Sequence, residues 1–353
     1  MTAPSTTPMD RTVNRETPWP ALDRARTAAA DLFVRNNGLW PDAASQPERL
    51  RLEIDGLVGR PCSFSLDELR SRFEMRRVTA VLECAGNGRG ALEPPTEGLQ
   101  WSNGAVGCAE YGGVRLGELL AAAEVLPEAR HLGHHSPDRS LTGEVALSRG
   151  IPIWKAMAPE TLVAYEMNGE PLPFEHGGPL RIVAPGFPGA AWQKWLTRIE
   201  VREREHDGAK MTGLDYRLPE TPLGPADPID PATFRVIEDM PVKSIITHPA
   251  GGSVVPLGES IEVRGWAWSG AVPVASVEVL LDDDGRVQAS LEDAEAPWAW
   301  RRFRTRWTPG RAGSHVIAAR ASDVDGRRQP LDQAWNPRGY CNNGCHRINV
   351  SVE

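Results

Sequence analysis

The sequence predicts an α+β domain followed by an all-β sandwich, and three observations carry that prediction. In the first part of the chain, short alternating segments mix with short helical ones in no strand-helix-strand rhythm. Prolines then stand at 219, 222, 225, 228 and 231, a spacing that suits extended polyproline II rather than a packed element. After them, alternating segments follow one another with Asp-Gly turns and no helical spacing. At 353 residues the chain exceeds one ordinary core, so the proline run is the natural boundary. We expect a disordered start at 1–20, a first domain at 21–216, a linker at 217–234 and a second domain at 235–353.

In chain order, Ala21 to Phe33 has alanines and leucines at helical spacing and breaks at Asn36-Asn37-Gly38, which puts Arg35 on a loop just past a helix. Arg51 to Val58 alternates as a strand. Ser65, with Glu68 three residues on, forms a capping-box pattern that opens a short helix. Thr79 to Leu82 has the β-branched and apolar content of a buried strand, and Val114 to Leu120 leads into an alanine-rich helix over Glu118 to Ala123. Arg181 to Pro185 and Thr197 to Val201 read as strands around the loop Gly186 to Ala190. Beyond the prolines, Ser260 to Trp268, Ser276 to Leu281, Trp298 to Trp307 and His315 to Arg320 alternate, with turns at Asp284-Gly285 and Asp325-Gly326. Trp266 with Trp268, and Trp298 with Trp300, stand two apart, so each pair shares a sheet face, either sandwich core or subunit interface.

Composition narrows the partners. A formal charge of -8 argues against nucleic acid or an anionic membrane, both of which want a basic face. It leaves a small anionic substrate open, because local arginines matter more than the sum. No apolar run approaches the length of a membrane-spanning helix. Met1 to Pro20 is polar, with neither a hydrophobic stretch nor a small-residue cleavage site, and as written the chain reads as cytoplasmic. Five cysteines, an odd number, fit reduced thiols better than a disulfide framework. Cys341 to His346 is one residue too long for a Cys-x-x-Cys-His haem attachment, and zinc there would need two more ligands, so ordinary thiols are expected.

The stretch that promises chemistry is Leu82-Glu83-Cys84-Ala85-Gly86-Asn87-Gly88-Arg89-Gly90. It sets a cysteine at the end of a buried strand, followed by glycines that let a bulky group approach the backbone. A soft sulfur suits a redox metal, and an arginine five residues on would point a rigid fork of donors at an anion beside it. A buried free cysteine before a glycine turn accounts for the same spacing.

Cys84-Ala85-Gly86-Asn87, with Arg89 behind it, resembles the molybdenum-ligating segment of the sulfite oxidase family. Four further stretches match that family in the same order. They are Phe33 to Asn37; Gly98-Leu99-Gln100-Trp101 with Gly104-Ala105-Val106; Ala164 to Gly169 through His176-Gly177 to Lys194-Trp195-Leu196; and Trp335-Asn336-Pro337-Arg338-Gly339. The resemblance covers about residues 30 to 353. It implies a sulfite-oxidase-type molybdopterin-binding catalytic domain and an immunoglobulin-like dimerisation domain, hence a homodimer. It also implies a molybdenum-molybdopterin cofactor.

Carried over position by position, the resemblance makes Cys84 the metal ligand and gathers Arg35, Arg89, Trp101, Tyr216 and Arg338 around the substrate. It puts Phe33, Val34, Arg35, Asn36, Asn37, His176, Arg181, Trp192, Gln193 and Lys194 on the cofactor, whose phosphate Arg181 and Lys194 suit as cations. His176 could equally cap a turn. Asp138 lies near a family cofactor contact, but insertions blur the alignment and it is left out. Asn37 stands where the family often has histidine, and Ala191 where animal members carry a basic residue.

The implied activity is oxidation of sulfite to sulfate, with oxygen or a separate carrier such as cytochrome c as electron acceptor. Oxidation of another sulfur compound, of the sulfane type, by the same cofactor is the alternative, as is a cofactor-free binding protein on this fold.

Overall fold

The computed structural model describes residues 13–41, 50–282 and 285–353. In the first domain, one five-stranded sheet runs Glu170–Pro171, Leu162–Met167, Val106–Arg115, Arg76–Glu83, with Arg181–Val183 paired to Leu162–Met167. The other runs Cys62–Ser65, Arg51–Gly56, Arg198–Arg202, His131–His135, Gly150–Pro152, and only Arg51–Gly56 with Arg198–Arg202 is parallel within it. Arg51–Gly56 alternates as its sequence does, with Leu52 and Ile54 inward and Arg51 and Glu53 in water. Val106–Arg115 lies mid-sheet and is buried along almost its whole length, which explains its small and apolar residues. Side chains from both sheets, Ile54 and Ile199 from one and Ala109 and Val163 from the other, share a single core.

The helices of this domain are short. In Leu66–Arg72, Ser65 Oγ accepts from Glu68 N at 3.1 Å while the Glu68 carboxylate accepts from Ser65 N at 2.8 Å, so the expected capping box forms. Another helix spans Leu116–Ala122 and starts two residues earlier than its alanines suggest.

The second domain is a sandwich. One sheet orders Lys243–His248, Ile261–Trp268, Arg301–Trp307, Ser290–Leu291, and the other Val254–Val255, His346–Val352, Gly313–Asp323, Val274–Leu281, Gly285–Gln288. Val263 and Phe303 of the first meet Val277, Ile317 and Ile348 of the second in a core of their own.

Four expectations need correction. Residues 13–20 are not disordered: Asn14–Arg15 pairs with Val34–Arg35, and Thr17 is buried with its hydroxyl donating to the Val106 carbonyl at 2.7 Å; residues 1–12 lie outside the described residues. Ala21 to Phe33 is not a helix, for only Trp19–Leu22 is helical. The rest threads between the domains, where Thr27 Oγ1 accepts from Cys108 N at 3.2 Å and the Ala25 carbonyl from Trp300 Nε1 at 2.8 Å, tertiary contacts that override alanine propensity. Arg35 therefore lies on a strand rather than past a helix. The proline segment is not a free extended spacer, because Arg217–Pro219 and Phe234–Val236 pair and close it into a loop.

The tryptophan pairs are the fourth. Trp266, Trp268 and Trp300 serve neither the sandwich core nor a subunit interface but pack on Leu22, Val106 and Cys108 at the seam between the domains, with Trp266 and Trp300 stacked at 5.0 Å. The expected turn at Asp284 falls outside the described residues.

Charge locks the same seam. Asp23 takes Arg264 at 2.9 Å and Arg302 at 2.5 Å; burial works to raise its pKa, but these partners and Thr247 hold it well below the usual carboxylate range. Deeper in, Lys243 Nζ lies 3.1 Å from Glu83 Oε1 and 3.2 Å from the Asn87 carbonyl, while Glu83 accepts from Trp268 Nε1 at 2.7 Å and Asn87 Nδ2 at 3.0 Å. Both charged side chains are 3% exposed. Removing one partner of a buried pair strands the other's charge, at about 3 to 5 kcal/mol. We therefore expect Lys243→Met to lower the free energy of unfolding by about that amount in urea titration, and Glu83→Gln added to it to recover most of the loss. A single variant as stable as the parent would contradict this reading of the seam.

Candidate active site

Strand Arg76–Glu83 delivers Cys84 to the seam and ends there, because the chain turns at once: Cys84 N donates to the Ala105 carbonyl at 2.9 Å, and Asn87 N to the Cys84 carbonyl at 2.9 Å. Arg89 then folds back under the turn. A Cβ at Gly86 or Gly98 would stand 2.6 Å from its guanidinium, and one at Gly339 2.7 Å from its Cγ. Three glycines from distant stretches thus leave the space that one buried arginine fills. Its Nη1 donates to the Leu99 carbonyl at 2.9 Å and its Nε to the Arg338 carbonyl at 2.8 Å.

Beside the turn lies a cleft. It is lined by Phe33, Val34, Arg35, Asn36 and Asn37, by Cys84, His176 and Arg181, and by Trp192, Gln193, Lys194 and Tyr216. Those positions span most of the first domain, and the cleft gathers every residue that the resemblance assigned to the cofactor, along with Tyr216. It also takes in Asp138, which the blurred alignment had left out.

The wall is rich in donors and cations. Among the described residues Arg35 bonds only to neutral oxygens, Asn14 Oδ1 at 3.2 Å, Asn37 Oδ1 at 2.8 Å and the Asn36 carbonyl, so Asn37 orients this arginine. Arg181, 3% exposed, spends its donors on the carbonyls of His176, Trp192 and Ile182 at 2.8, 3.1 and 3.3 Å. Lys194 reaches the Glu175 carbonyl at 3.0 Å and Asn36 Oδ1, while Asn36 Nδ2 is buried with no partner among the described residues.

The electrostatics follow. Desolvation pushes the Lys194 ammonium well below its ordinary pKa, and Arg181 and Arg35 push it further, against the opposing carboxylates of Asp138 and Glu175. Burial lowers His176 to about 4; its Nε2–H donates to the Ala29 carbonyl at 2.8 Å, which leaves Nδ1 as the bare nitrogen. Burial pushes the Cys84 thiol up, opposed by the Gly86 N–H and by the charges of Arg35 and Arg89. An anion in the cleft would relieve the desolvated cations and satisfy the orphaned amide.

Sequence reasoning missed Arg149. Only 1% exposed, it lies 4.8 Å over the ring of Tyr216, which stacks at 5.3 Å on Tyr340, whose ring centroid is 5.2 Å from Arg89. This four-layer stack joins both domains and ends in a guanidinium on each side. Arg149 donates to the Lys210 carbonyl, its Nε is buried without a partner among the described residues, and its backbone N–H is held by Gln193 Oε1 at 3.1 Å. Nothing between Ser148 and Gly150 in the sequence announces it; only its burial does.

Arg89, Trp101 and Arg338 are not among the cleft's lining residues. Trp101 is 5% exposed in the main core, its carbonyl accepting from Gly90 N at 2.9 Å, so it supports the arginine turn from behind. Arg338 crosses from the second domain to Glu97 at 2.8 Å and Asp215 at 3.7 Å, beside Tyr216, and its Nε is buried without a partner among the described residues. Cys341 and Cys345 are free thiols, and the His346 ring accepts from Ile246 N at 3.1 Å.

Comparison with known proteins assigns both domains to described families. Residues 38–210 match the oxidoreductase molybdopterin binding domain, and residues 234–353 the Mo-co oxidoreductase dimerisation domain. The chain is 38% identical over 351 residues to the sulfite oxidase of Gallus gallus, covering 95% of this chain and 75% of that protein. It is 34% identical over 358 residues to the mitochondrial sulfite oxidase of Rattus norvegicus, covering 97% of this chain and 64% of that protein, just under two thirds of its length. The crystal structure of the sulfane dehydrogenase SoxCD from Paracoccus pantotrophus superposes with a TM-score of 0.78 at 27% identity, over 100% of this chain and 90% of that one.

Proposed function

Because the chain belongs to the sulfite oxidase family, we propose that this molybdenum-dependent oxidoreductase converts sulfite to sulfate. The observation that carries the reading is the set of cations around the Cys84 turn: among the described residues, Arg35, Arg89, Arg149, Arg181 and Lys194 bond to carbonyls, amide oxygens and rings but to no carboxylate. Buried charge without a counterion is costly, and a small oxyanion beside the cofactor's own phosphate is the natural way to supply one.

The cleft suits the molybdenum cofactor. Phe33 to Asn37, His176, Arg181 and Trp192 to Lys194 would hold the pterin and its phosphate, with Lys194 and the orphaned Asn36 amide as free donors. Cys84 would give its thiolate to molybdenum; its raised pKa is no obstacle, since a coordinating metal deprotonates a thiol outright. When bound, the cofactor supplies the two-electron oxidation that side chains cannot perform.

The chain's own residues do the rest. Arg35, Arg89 and Arg338 hold the substrate oxyanion, and the Tyr216 hydroxyl orients it from its place in the aromatic stack. Sulfite and water yield sulfate, two protons and two electrons, and the electrons pass to oxygen or to a carrier such as a cytochrome c. Pairing of two chains through the dimerisation domain gives a homodimer.

The likeness to a sulfane dehydrogenase favours a second reading, in which the same site oxidises a sulfane sulfur. Steady-state assays with sulfite beside thiosulfate and organic sulfoxides separate the two, and turnover of thiosulfate alone would overturn the first. Cys84→Ser should fold and lose turnover, because an alkoxide is a far harder and more basic donor than a thiolate. Sulfite oxidation within a few-fold of the parent would remove Cys84 from the mechanism. Arg338→Met should lower kcat/KM by about 10 to 100-fold, chiefly through KM, since one charge-assisted hydrogen bond is worth about 1.5 to 3 kcal/mol. Its molybdenum content should not change. Unchanged constants for sulfite would return this arginine to the domain surface.

A further inference from the structure

A second cluster of chemistry-bearing groups lies away from the cleft, where strand His131–His135 pairs with Arg198–Arg202. Glu200 stands opposite Gly133 and Arg198 opposite His135, so all four share one face. Gly133 leaves its place on that face open and the ring of His206 fills it, so that a Cβ there would stand 2.5 Å from His206 Nδ1. His135, Glu200 and His206 thereby converge, each offering a ligand atom within 4.8 Å of the others.

The hydrogen bonds around His206 leave one nitrogen free. Ser148 Oγ donates to the His134 carbonyl at 2.8 Å, so toward the imidazole it can only accept, from Nε2–H at 2.7 Å. That fixes the tautomer with a bare lone pair on Nδ1, and this atom is buried with no partner among the described residues, in a side chain whose residue is 4% exposed. A buried acceptor without a donor costs stability.

We propose that His135, Glu200 and His206 bind one divalent transition-metal cation, with Zn²⁺ as its probe. Two imidazoles and one carboxylate are a zinc-type donor set that leaves the remaining positions to water. Burial, with the neighbouring His135, lowers His206 to about 4, and burial with Arg198 also lowers His135, so both rings are neutral ligands near pH 7.

Arg198 Nη1 now lies 3.3 Å from His135 Nε2 and would yield that place to the cation. Its Nε holds both oxygens of Asp55, at 3.0 and 2.8 Å, so the guanidinium stays anchored. Arg202 bridges Glu200 at 3.2 Å and Asp207 at 2.8 Å. The carboxylates of Asp55, Glu200 and Asp207 thus outnumber the two arginines. Because His206 sits on the segment that runs on to Lys210 and Tyr216, the cation would tie that segment to the central sheet.

The test uses the full chain with its molybdenum, made without a histidine tag, washed with EDTA and titrated with ZnCl₂ by calorimetry. Co²⁺ in its place reports the ligands through its visible ligand-field bands. His135→Gln and Glu200→Gln are the variants, since these side chains are 30% and 25% exposed. We expect one Zn²⁺ per chain in the parent, weakened about tenfold or more in both variants, with molybdenum content unchanged. No stoichiometric binding by the parent, or equal binding by parent and variants, would overturn the site.

Discussion

Glu83 and Lys243 bury opposite charges against each other at the foot of the Cys84 turn, and neither can leave without stranding the other where water does not reach. The pair joins the last residue of a first-domain strand to the first residue of a second-domain strand. Trp268 Nε1 and the Asn87 amide complete the carboxylate's hydrogen bonds, so the domain seam and the geometry of the cysteine turn are set by the same few atoms. The pair therefore ties the domains together, and Arg338 and Tyr340 of the second reach Glu97, Asp215 and Tyr216 of the first.

Around the Cys84 turn, though not at Asp23 or at Arg338, the protein departs from its own habit of pairing arginines. On the outer surfaces guanidiniums meet carboxylates, as Arg77 meets Glu110 and Glu166 and Arg304 meets Glu262 and Glu292. In the cleft and its aromatic stack they meet carbonyls, amide oxygens and rings instead. Such groups keep their donors pointed but their charge uncompensated, the condition in which an anion binds without first breaking an ion pair. The overall charge of -8 conceals this local excess entirely.

What the sequence makes legible is local. Ser65 and Glu68 announce their capping box, Leu52 and Ile54 their inward face, and the Cys84-to-Arg89 stretch its turn, because in each case neighbouring residues supply the forces. What it hides depends on contacts between distant residues. The alanines after Trp19 are drawn out of helical form by Cys108 and Trp300, and the tryptophan pairs look like sandwich core until the first domain is laid against them. Arg149 has no pattern around it and gains its meaning only from the ring of Tyr216. Asn37 reads as a lost cation in the sequence, yet in the fold it holds Arg35 in place.

The most direct measurement is elemental analysis of the purified chain, expressed in cells that make the cofactor, joined to its optical spectrum before and after sulfite. A molybdenum site ligated by Cys84 and fed by the arginines predicts close to one molybdenum atom per chain and an absorbance change that sulfite alone brings about. Molybdenum far below one atom per chain, or a full complement whose spectrum sulfite leaves untouched, would contradict it.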